Sequence, residues 1–255
     1  MKLILFSFLL CVSVLQAQNE NAYKDGEWLS FKIKYGWFKA STATLKINDT
    51  VYDGKNLFHI VGKGKSVGLL DVFFKVRDQY ETYIDDEGLP HKFVRDINEG
   101  GYKKHKELYF DHDKNRVKVK DFKYNRTDTF DFKPKSQDML SAFYKLRNLI
   151  DPDNLEKGQE FLLDMFFDDE NYNFKTKFLG EEIVDTKFGK VKCLKFRPYV
   201  MADRVFEAEE SLTFWVSADE NKVPIKIEAK LAVGSLVAEL ENFKNLAHSF
   251  KIVVD

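Results

Sequence analysis

Charged and aromatic side chains crowd one stretch of the chain, residues 67–102. Carboxylates beside arginines can do acid–base work, or they can hold the polar group of a ligand. The residues that we take as a candidate ligand-binding site on this ground are Arg77, Asp78, Tyr80, Glu81, Arg95, Glu99 and Tyr102. The same residue types also form ordinary cross-strand charge pairs, so a purely structural role for the cluster stays open.

The pattern of apolar and polar residues predicts the elements that carry this cluster. Residues 80–84 alternate between two faces and predict a strand, and the sequence Asp-Asp-Glu-Gly at 85–88 is typical of a turn. A second strand is predicted around residues 93–97, so the cluster lies on a hairpin. The apolar run at 67–74, just before the hairpin, fits either a short helix or a buried strand.

Two other segments resemble ligand-binding loops but fit a plainer role. Residues 62–68 are rich in glycine, yet their spacing matches neither the dinucleotide-binding fingerprint nor the P-loop. Residues 111–115 begin like a calcium loop, but Arg116 and Phe122 occupy the places of its glycine and its closing glutamate. We predict a flexible connection and a hairpin turn at these places, and neither a metal nor a cofactor.

The sequence offers few signs of catalysis. It contains no Gly-x-Ser-x-Gly elbow, and no serine lies near a histidine and an aspartate in sequence. Cys193 lies in a strand-like run and is predicted to be a core residue instead of a reactive thiol. We therefore predict a non-enzymatic protein. A hydrolase stays open as an alternative, because distant residues can assemble a triad or pair with Asp78, Glu81 or Glu99.

The first residues have the pattern of a secretory leader. Lys2 precedes an apolar run, Leu3–Leu15, and a small residue, Ala17, completes a plausible cleavage site. The run is too short to span a bilayer comfortably, so we predict no transmembrane span after cleavage. We expect a leader at residues 1–17 and an exported chain that is periplasmic or associated with the cell envelope. A retained anchor and a lipid on Cys11 are the alternatives.

Charge and composition limit the class of partner and the fold class that the chain can have. The net charge is −1, and removal of residues 1–17 takes away only one lysine, which argues against a nucleic-acid-binding protein. The chain has 24 Phe, 11 Tyr and 3 Trp, enough aromatic residues for a large β-rich core. Turn signals every 8–14 residues predict one all-β domain, residues 18–255, built as a curved antiparallel sheet or a partly open barrel.

One amphipathic helix is predicted at residues 136–150. Ser136 is a suitable N-cap, an apolar stripe includes Leu140 and Phe143, and the sequence Asp151-Pro152 ends the helix. A lone helix in a strand-rich chain is expected to pack on the sheet or inside it.

Several stretches together resemble a known family. They are FFKVRDQYETYID (73–85), GLP (88–90), NEGGY (98–102), QDMLSAFY (137–144) and WVSADENKVP (215–224) with the strand pattern that follows to residue 240. In these stretches the chain is similar to the bacterial exported family known as domain of unknown function 3108. The resemblance implies an exported, β-rich envelope protein, and it assigns no catalytic or ligand-binding residue.

The abundance of aromatic residues and the strands that are apolar on both faces lead to a functional hypothesis. We expect a cell-envelope protein that binds or carries a lipid-like or glycan ligand in an apolar cavity lined by β-strands. A structural or assembly module that binds another envelope protein is the alternative from a different class.

Overall fold

In a computed structural model that describes residues 21–199 and 212–254, fourteen antiparallel strands form one sheet. The predicted leader lies outside the described residues. The strands are β1 (Trp28–Tyr35), β2 (Phe38–Tyr52), β3 (Lys55–Ser66), β4 (Arg77–Ile84), β5 (Pro90–Glu99), β6 (Tyr102–Asp111), β7 (Arg116–Asp121), β8 (Arg126–Asp131), β9 (Glu160–Phe167), β10 (Glu170–Thr186), β11 (Gly189–Tyr199), β12 (Leu212–Ser217), β13 (Pro224–Lys230) and β14 (Ser235–Lys244). The helices are α1 (Gly68–Phe73), α2 (Met139–Leu149) and a short 3₁₀-helix, Pro152–Asn154.

The strand order explains the shape of the sheet. It runs β8-β7-β6-β5-β4-β3-β2-β1-β14-β13-β12-β11-β10-β9, so two meanders meet where β1 pairs with β14. The outermost strands, β8 and β9, are not hydrogen-bonded to each other. The predicted fold class, a mainly antiparallel sheet or partly open barrel with one substantial helix, is therefore confirmed.

The gap between β8 and β9 is bridged by the chain that leaves β8. The Gln137 amide donates to the Asp164 carbonyl at 2.8 Å, and the Phe166 amide donates to the Gln137 carbonyl at 2.9 Å. Asn171 accepts from the Lys133 amide and donates to the Asp131 carbonyl, each at 3.0 Å. These contacts hold the two edges of the sheet beside each other.

Helix α2 fills part of the space that the sheet encloses, and we call the side of the sheet on which it lies the inner face. Its Leu140 and Tyr144 belong to a buried cluster with inner-face side chains of β2–β6, which include Ile47, Ile60, Ile84, Phe93 and Leu108. Alternation along the strands turns every second side chain to this face, and most of those beside α2 are apolar. Cys193 is fully buried in a second cluster, as predicted, and burial raises the pKa of its thiol to about 12.

The start of α2 differs from the prediction. The N-cap is Asp138 and not Ser136, because the Asp138 carboxylate accepts hydrogen bonds from the amides of Leu140 and Ser141, both at 2.8 Å. The Ser141 hydroxyl in turn accepts from the Asp138 amide, which completes a capping box. Gln137 is held in an extended conformation by β9, so the helix cannot begin earlier.

An ion pair is buried under the C-terminal half of α2. The Arg147 guanidinium donates to both carboxylate oxygens of Glu27, at 2.6 and 2.8 Å, and also to the carbonyls of Ala22 and Asn221. Both charged side chains are 1% exposed. This network joins α2 to the segment before β1 and to the turn before β13.

Helix α1 has its polar and apolar sides reversed relative to an ordinary surface helix. None of its residues is buried, and Leu69, Val72 and Phe73 are 69%, 77% and 80% exposed. Its one charged side chain, Asp71, points to the protein and bonds with Ser66 and Arg77. Of the two predicted alternatives, the short helix is the one observed. The part of the chain that the structure describes contains no helix with the length and hydropathy of a transmembrane span.

Candidate functional site

The predicted site residues are divided between the two faces of the β4–β5 hairpin. Tyr80 lies directly opposite Arg95, and both side chains are on the inner face with those of Asp78 and Glu99. The remaining three residues are elsewhere: Arg77 and Glu81 are on the outer face, and Tyr102 lies exposed beside the β5–β6 turn. The structure therefore brings four of the seven together.

The inner-face residues belong to a polar cluster centred on Asp168. The Asp168 carboxylate accepts hydrogen bonds from Arg95 and from Lys104, each at 2.7 Å. Burial of Asp168 favours its neutral form, but the two cations outweigh this effect and lower the pKa of its carboxyl. The Arg95 guanidinium also lies 4.8 Å from the centre of the Phe167 ring. Two cations therefore converge on one carboxylate at the inner face.

The turn between β9 and β10 places Asp168 at the inner face, beside Arg95 and Lys104. Asp168 and Asp169 have φ angles of 48° and 81°, which give a two-residue hairpin of the type that favours Asp, Asn and Gly. The neighbouring carboxylate, Asp169, accepts from Lys106 at 2.9 Å, and Lys106 lies 3.8 Å from Asp121. The acidic pair therefore serves both the turn and the cluster.

A second pair of carboxylates lies at the end of the β4–β5 hairpin. Asp78 accepts a hydrogen bond from the Asn98 amide at 3.0 Å. Desolvation, and then the neighbouring Asp78, raise the pKa of the Glu99 carboxyl. Burial likewise raises the pKa of the Tyr80 hydroxyl. The inner cluster thus contains carboxylates that are pushed towards opposite protonation states, Glu99 towards the acid and Asp168 towards the anion.

Replacing Asp168 with Asn tests the charge of this cluster. Asn is compatible with the left-handed turn, so the change removes a charge and keeps the backbone conformation. We expect the free energy of unfolding at neutral pH to fall by about 1–2 kcal/mol, because Arg95 and Lys104 lose their shared anion. Urea denaturation measures this change. Asp131→Asn, which alters an exposed pair with Arg116, is the control, and its effect should stay within about 0.5 kcal/mol. Equal effects of the two changes would contradict the prediction.

The outer-face residues form separate contacts. Glu81 lies 2.7 Å from His59 and accepts from Gln79 at 2.5 Å. Burial opposes the charge of Glu81, but the hydrogen bonds from Gln79 and His59 lower the pKa of its carboxyl. Arg77 bonds with Asp71 of α1 at 2.6 Å. These two residues therefore do not share a binding surface with Arg95.

An apolar pocket of about 160 Å³ lies between α2 and the opposite part of the inner face. Helix α2 contributes Met139 and Phe143 among its lining residues, and the strands contribute Met165, Phe174, Phe214 and Ile227. Met165 is two residues from Phe167 on the same face of β9, so the pocket lies about 7 Å along the strand from the ring that contacts Arg95. The pocket and the polar cluster are therefore neighbours.

A row of apolar side chains leads from the pocket across the sheet. Ile227 is paired with Phe214 on one side and with Ala238 on the other, and Ala238 is paired with Ile33. These four side chains are only half-buried although they lie on the inner face. A complete hydrophobic core would bury them, so part of the enclosed space is open.

The comparisons with known proteins begin with a family model. The model described as "Protein of unknown function (DUF3108)" matches residues 30–241. The chain belongs to the DUF3108 family. This agrees with the resemblance in the sequence, and the family description assigns no activity to this DUF3108 chain. Comparison with curated proteins gives no match.

Solved structures resemble the DUF3108 chain in fold. A protein from Brucella abortus, described as beta-barrel-like and of domain of unknown function DUF1849, has a TM-score of 0.56 at 10% identity and covers 88% of this chain and 98% of its own. A candidate exported protein from Bacteroides fragilis with a YmcC-like fold has a TM-score of 0.35 at 9% identity, with 88% and 97% covered. A candidate lipoprotein from Parabacteroides distasonis has a TM-score of 0.34 at 10% identity, with 87% and 96% covered. Only the first likeness is strong enough to support the barrel-like fold.

Sequence reasoning missed much of what surrounds Arg95 in this DUF3108 chain. Lys104 and Asp168 are not among the predicted site residues. The apolar lining of the pocket comes from distant strands and gave no local signal. Within the described residues, no group of three His, Cys, Asp or Glu side chains could hold a metal ion.

Proposed function

We propose that this chain binds an amphiphile, with an apolar chain in the pocket beside α2 and an anionic group at the cluster of Arg95 and Lys104. The observation that carries the proposal is the position of Met165 and Phe167. These neighbours on one face of β9 connect an apolar pocket to a cationic site. An amphiphile has the same order of apolar and polar parts, and its chain stabilises binding by about 0.8 kcal/mol for each buried methylene.

The size of the pocket limits what it can hold. Its volume of about 160 Å³ is below the roughly 300–1,000 Å³ of sites that enclose a whole drug-sized ligand. An occupant would therefore insert a segment of its chain and extend along the half-buried row of Phe214, Ile227, Ala238 and Ile33. This favours a flexible chain over a rigid glycan, the other ligand class that the sequence suggested.

The polar end favours an anion. Arg95 and Lys104 share one carboxylate, so the pair of cations is not fully neutralised by Asp168 alone. A carboxylate or phosphate group of a ligand could accept further hydrogen bonds from the guanidinium and the ammonium. The Nε of Arg95 is buried and has no hydrogen-bond partner within the described residues, so one donor is available at this place.

The setting that we propose for this binding is the cell envelope. The leader-like residues 1–17 support export, and the proposed binding unit is one domain, residues 18–255. The role is that of a non-enzymatic carrier or receptor. The predicted site residues Asp78, Tyr80 and Glu99 would border the polar group of the ligand, whereas Arg77, Glu81 and Tyr102 lie outside this site.

The test is binding of a fluorescent fatty acid, 11-(dansylamino)undecanoic acid, to the full chain. We expect dansyl emission to increase and shift to shorter wavelength on binding. Ile227→Trp should weaken binding about tenfold or more, because the indole takes the space of two or more methylenes. Ile183→Trp is the matched control, since Ile183 is exposed on β10 away from the pocket, and it should bind as the unaltered chain does.

A second pair of variants tests the polar end. Lys104→Gln should weaken binding of the same probe about tenfold, whereas Lys55→Gln, at the β2–β3 turn, should have no effect. Circular dichroism of each variant confirms that it is folded. Equal affinities of Ile227→Trp and Ile183→Trp, or a probe that does not bind the folded unaltered chain, would overturn the proposal.

A further inference from the structure

Exposed apolar side chains concentrate at one end of the sheet. The end is the one at which β1 runs into β2, and four successive connections project from it: residues 36–39, 67–77, 100–103 and 122–126, which we call the rim. The large apolar residues exposed on the rim are Trp37, Phe38, Leu69, Leu70, Val72, Phe73, Phe74, Tyr102, Phe122 and Tyr124. Such a concentration marks an interaction surface, because soluble chains rarely expose large apolar residues in one place.

The rim is continuous in space. Its connections belong to strands that are neighbours in the sheet, from β1 to β8. The ring of Phe74 lies against Gly100, and the Gly100 amide donates to the Lys75 carbonyl at 2.9 Å. The Lys123 ammonium lies 4.7 Å from the centre of the Tyr102 ring. Residues from separate turns therefore form one surface.

The charge of the rim is opposite to that of the whole chain. The four segments contain six basic residues and one acidic residue, Asp71, while the chain has a net charge of −1. Three of the six basic residues, Lys39, Arg77 and Arg126, form ion pairs with the carboxylates of Glu241, Asp71 and Asp128. Lys75, Lys103 and Lys123 are exposed beside the aromatic residues. The surface is therefore both apolar and cationic.

A groove on the outer face continues this surface below α1. It has a volume of about 390 Å³, and its lining includes the outer-face residues Lys63, Lys65, Arg77, Thr42, Thr44 and Asp96. A groove with three basic residues beside a cluster of exposed aromatic side chains suits an anionic headgroup whose acyl chains lie next to it.

We propose that the rim docks on the surface of an anionic lipid bilayer, with α1 and the aromatic tips inserted among the headgroups and the lysines against anionic lipids. Tryptophan, tyrosine and lysine side chains prefer this interfacial depth. The reversed orientation of α1 agrees, because its apolar side is presented outward where an interface would cover it. A surface that binds a flat protein partner would instead have one apolar patch with few charged residues. The docking does not depend on an occupied pocket.

Co-sedimentation of the full chain with lipid vesicles tests the docking. We expect strong binding to phosphatidylcholine vesicles that contain about one third phosphatidylglycerol, weak binding to phosphatidylcholine alone, and a marked loss of binding as salt rises from about 0.1 M to about 1 M. Every variant below is the full chain, so residues 1–20 contribute equally to all of them.

Matched variants assign the binding to the rim. Val72→Ser should reduce the partition coefficient about threefold and Phe73→Ser about tenfold, because each exposes less apolar surface to insert. Val51→Ser is the control, since Val51 is 69% exposed at the opposite end of the sheet. Lys103→Gln combined with Lys123→Gln should reduce binding to anionic vesicles about tenfold and leave binding to neutral vesicles unchanged.

Clear results would overturn the proposal. Equal binding of Val72→Ser and Val51→Ser would show that α1 does not insert. If the chain bound anionic and neutral vesicles equally, the lysines would not contribute to binding. If the chain does not bind vesicles of either composition, the docking proposal is wrong. If the rim variants then abolish binding to a purified protein partner, the rim is a protein-binding surface. Fatty-acid binding by the pocket is measured separately, so either proposal can fail alone.

Discussion

Replacing Arg147 with Met is expected to lower the free energy of unfolding by about 3–5 kcal/mol. The change leaves the Glu27 carboxylate buried without its cation, and it also removes donors from the carbonyls of Ala22 and Asn221. Met has a similar length and fills most of the space, so the loss comes from the polar network. Urea denaturation followed by circular dichroism measures the change.

Two further variants separate the charge from the packing. Arg116→Met removes an arginine whose ion pair with Asp131 is exposed, and it should change stability by no more than about 0.5 kcal/mol. The double change Glu27→Leu with Arg147→Met removes both charges, so it should recover a large part of the loss. If the double variant were less stable than Arg147→Met alone, an uncompensated Glu27 charge could not be the cause.

Replacing Asp138 with Asn should change how stability depends on pH. Burial raises the pKa of the Asp138 carboxyl from 3.8 to about 6, although the hydrogen bonds from Thr82, Leu140 and Ser141 oppose this shift. The folded state therefore binds a proton more tightly than the unfolded state. This contribution to stability is fully present below about pH 4 and is lost as pH rises through about 6, for a total of about 3 kcal/mol. Asn keeps an acceptor for the helix amides and cannot ionise.

The measurement compares unfolding free energies of the two proteins at several pH values from about 4 to 7. The stability of Asp138→Asn relative to the unaltered chain should rise by up to about 3 kcal/mol over this range, and other titrating groups cancel in the difference. Asp138→Ala is the control, because this variant loses the cap. It should be less stable than the unaltered chain by about 1–2 kcal/mol or more at every pH at which Asp138 caps the helix. Parallel curves for the Asp and Asn proteins would show that this carboxyl retains no proton.

The fold was predictable where local pattern decides it. The turn signals and the alternation of apolar and polar residues are enough to locate most strands. One such alternation begins at Ile225 and extends to Val233, but β13 ends at Lys230. A turn closed by the Leu231 amide and the Gly234 carbonyl ends it, with Gly234 at a φ of 74°. The N-cap of α2 also depends on a contact that local pattern does not show. Ser136 and Asp138 are both suitable caps, and the contact between Gln137 and β9 decides between them.

The candidate site was less predictable because its partners are far apart in sequence. Alternation alone separates Tyr80 from Glu81, so the division of the cluster between two faces was implicit in the pattern. Nothing near Arg95 indicates that Asp168 is its partner, since 73 residues separate them. The apolar pocket combines α2 with strands from the other half of the sheet. Such a site depends on how the sheet curves, and the sequence pattern does not specify curvature.

The pairing of β1 with β14 has a consequence for how the chain folds. Among the described strands, every other ladder joins strands that follow each other in sequence, so each meander can form from local contacts. The β1–β14 ladder closes the longest loop of all, which is an entropically costly late step. During synthesis, the edge of β1 that pairs with β14 has unpaired backbone groups until nearly the whole chain has emerged. Chaperones that shield that edge would limit aggregation of the nascent protein.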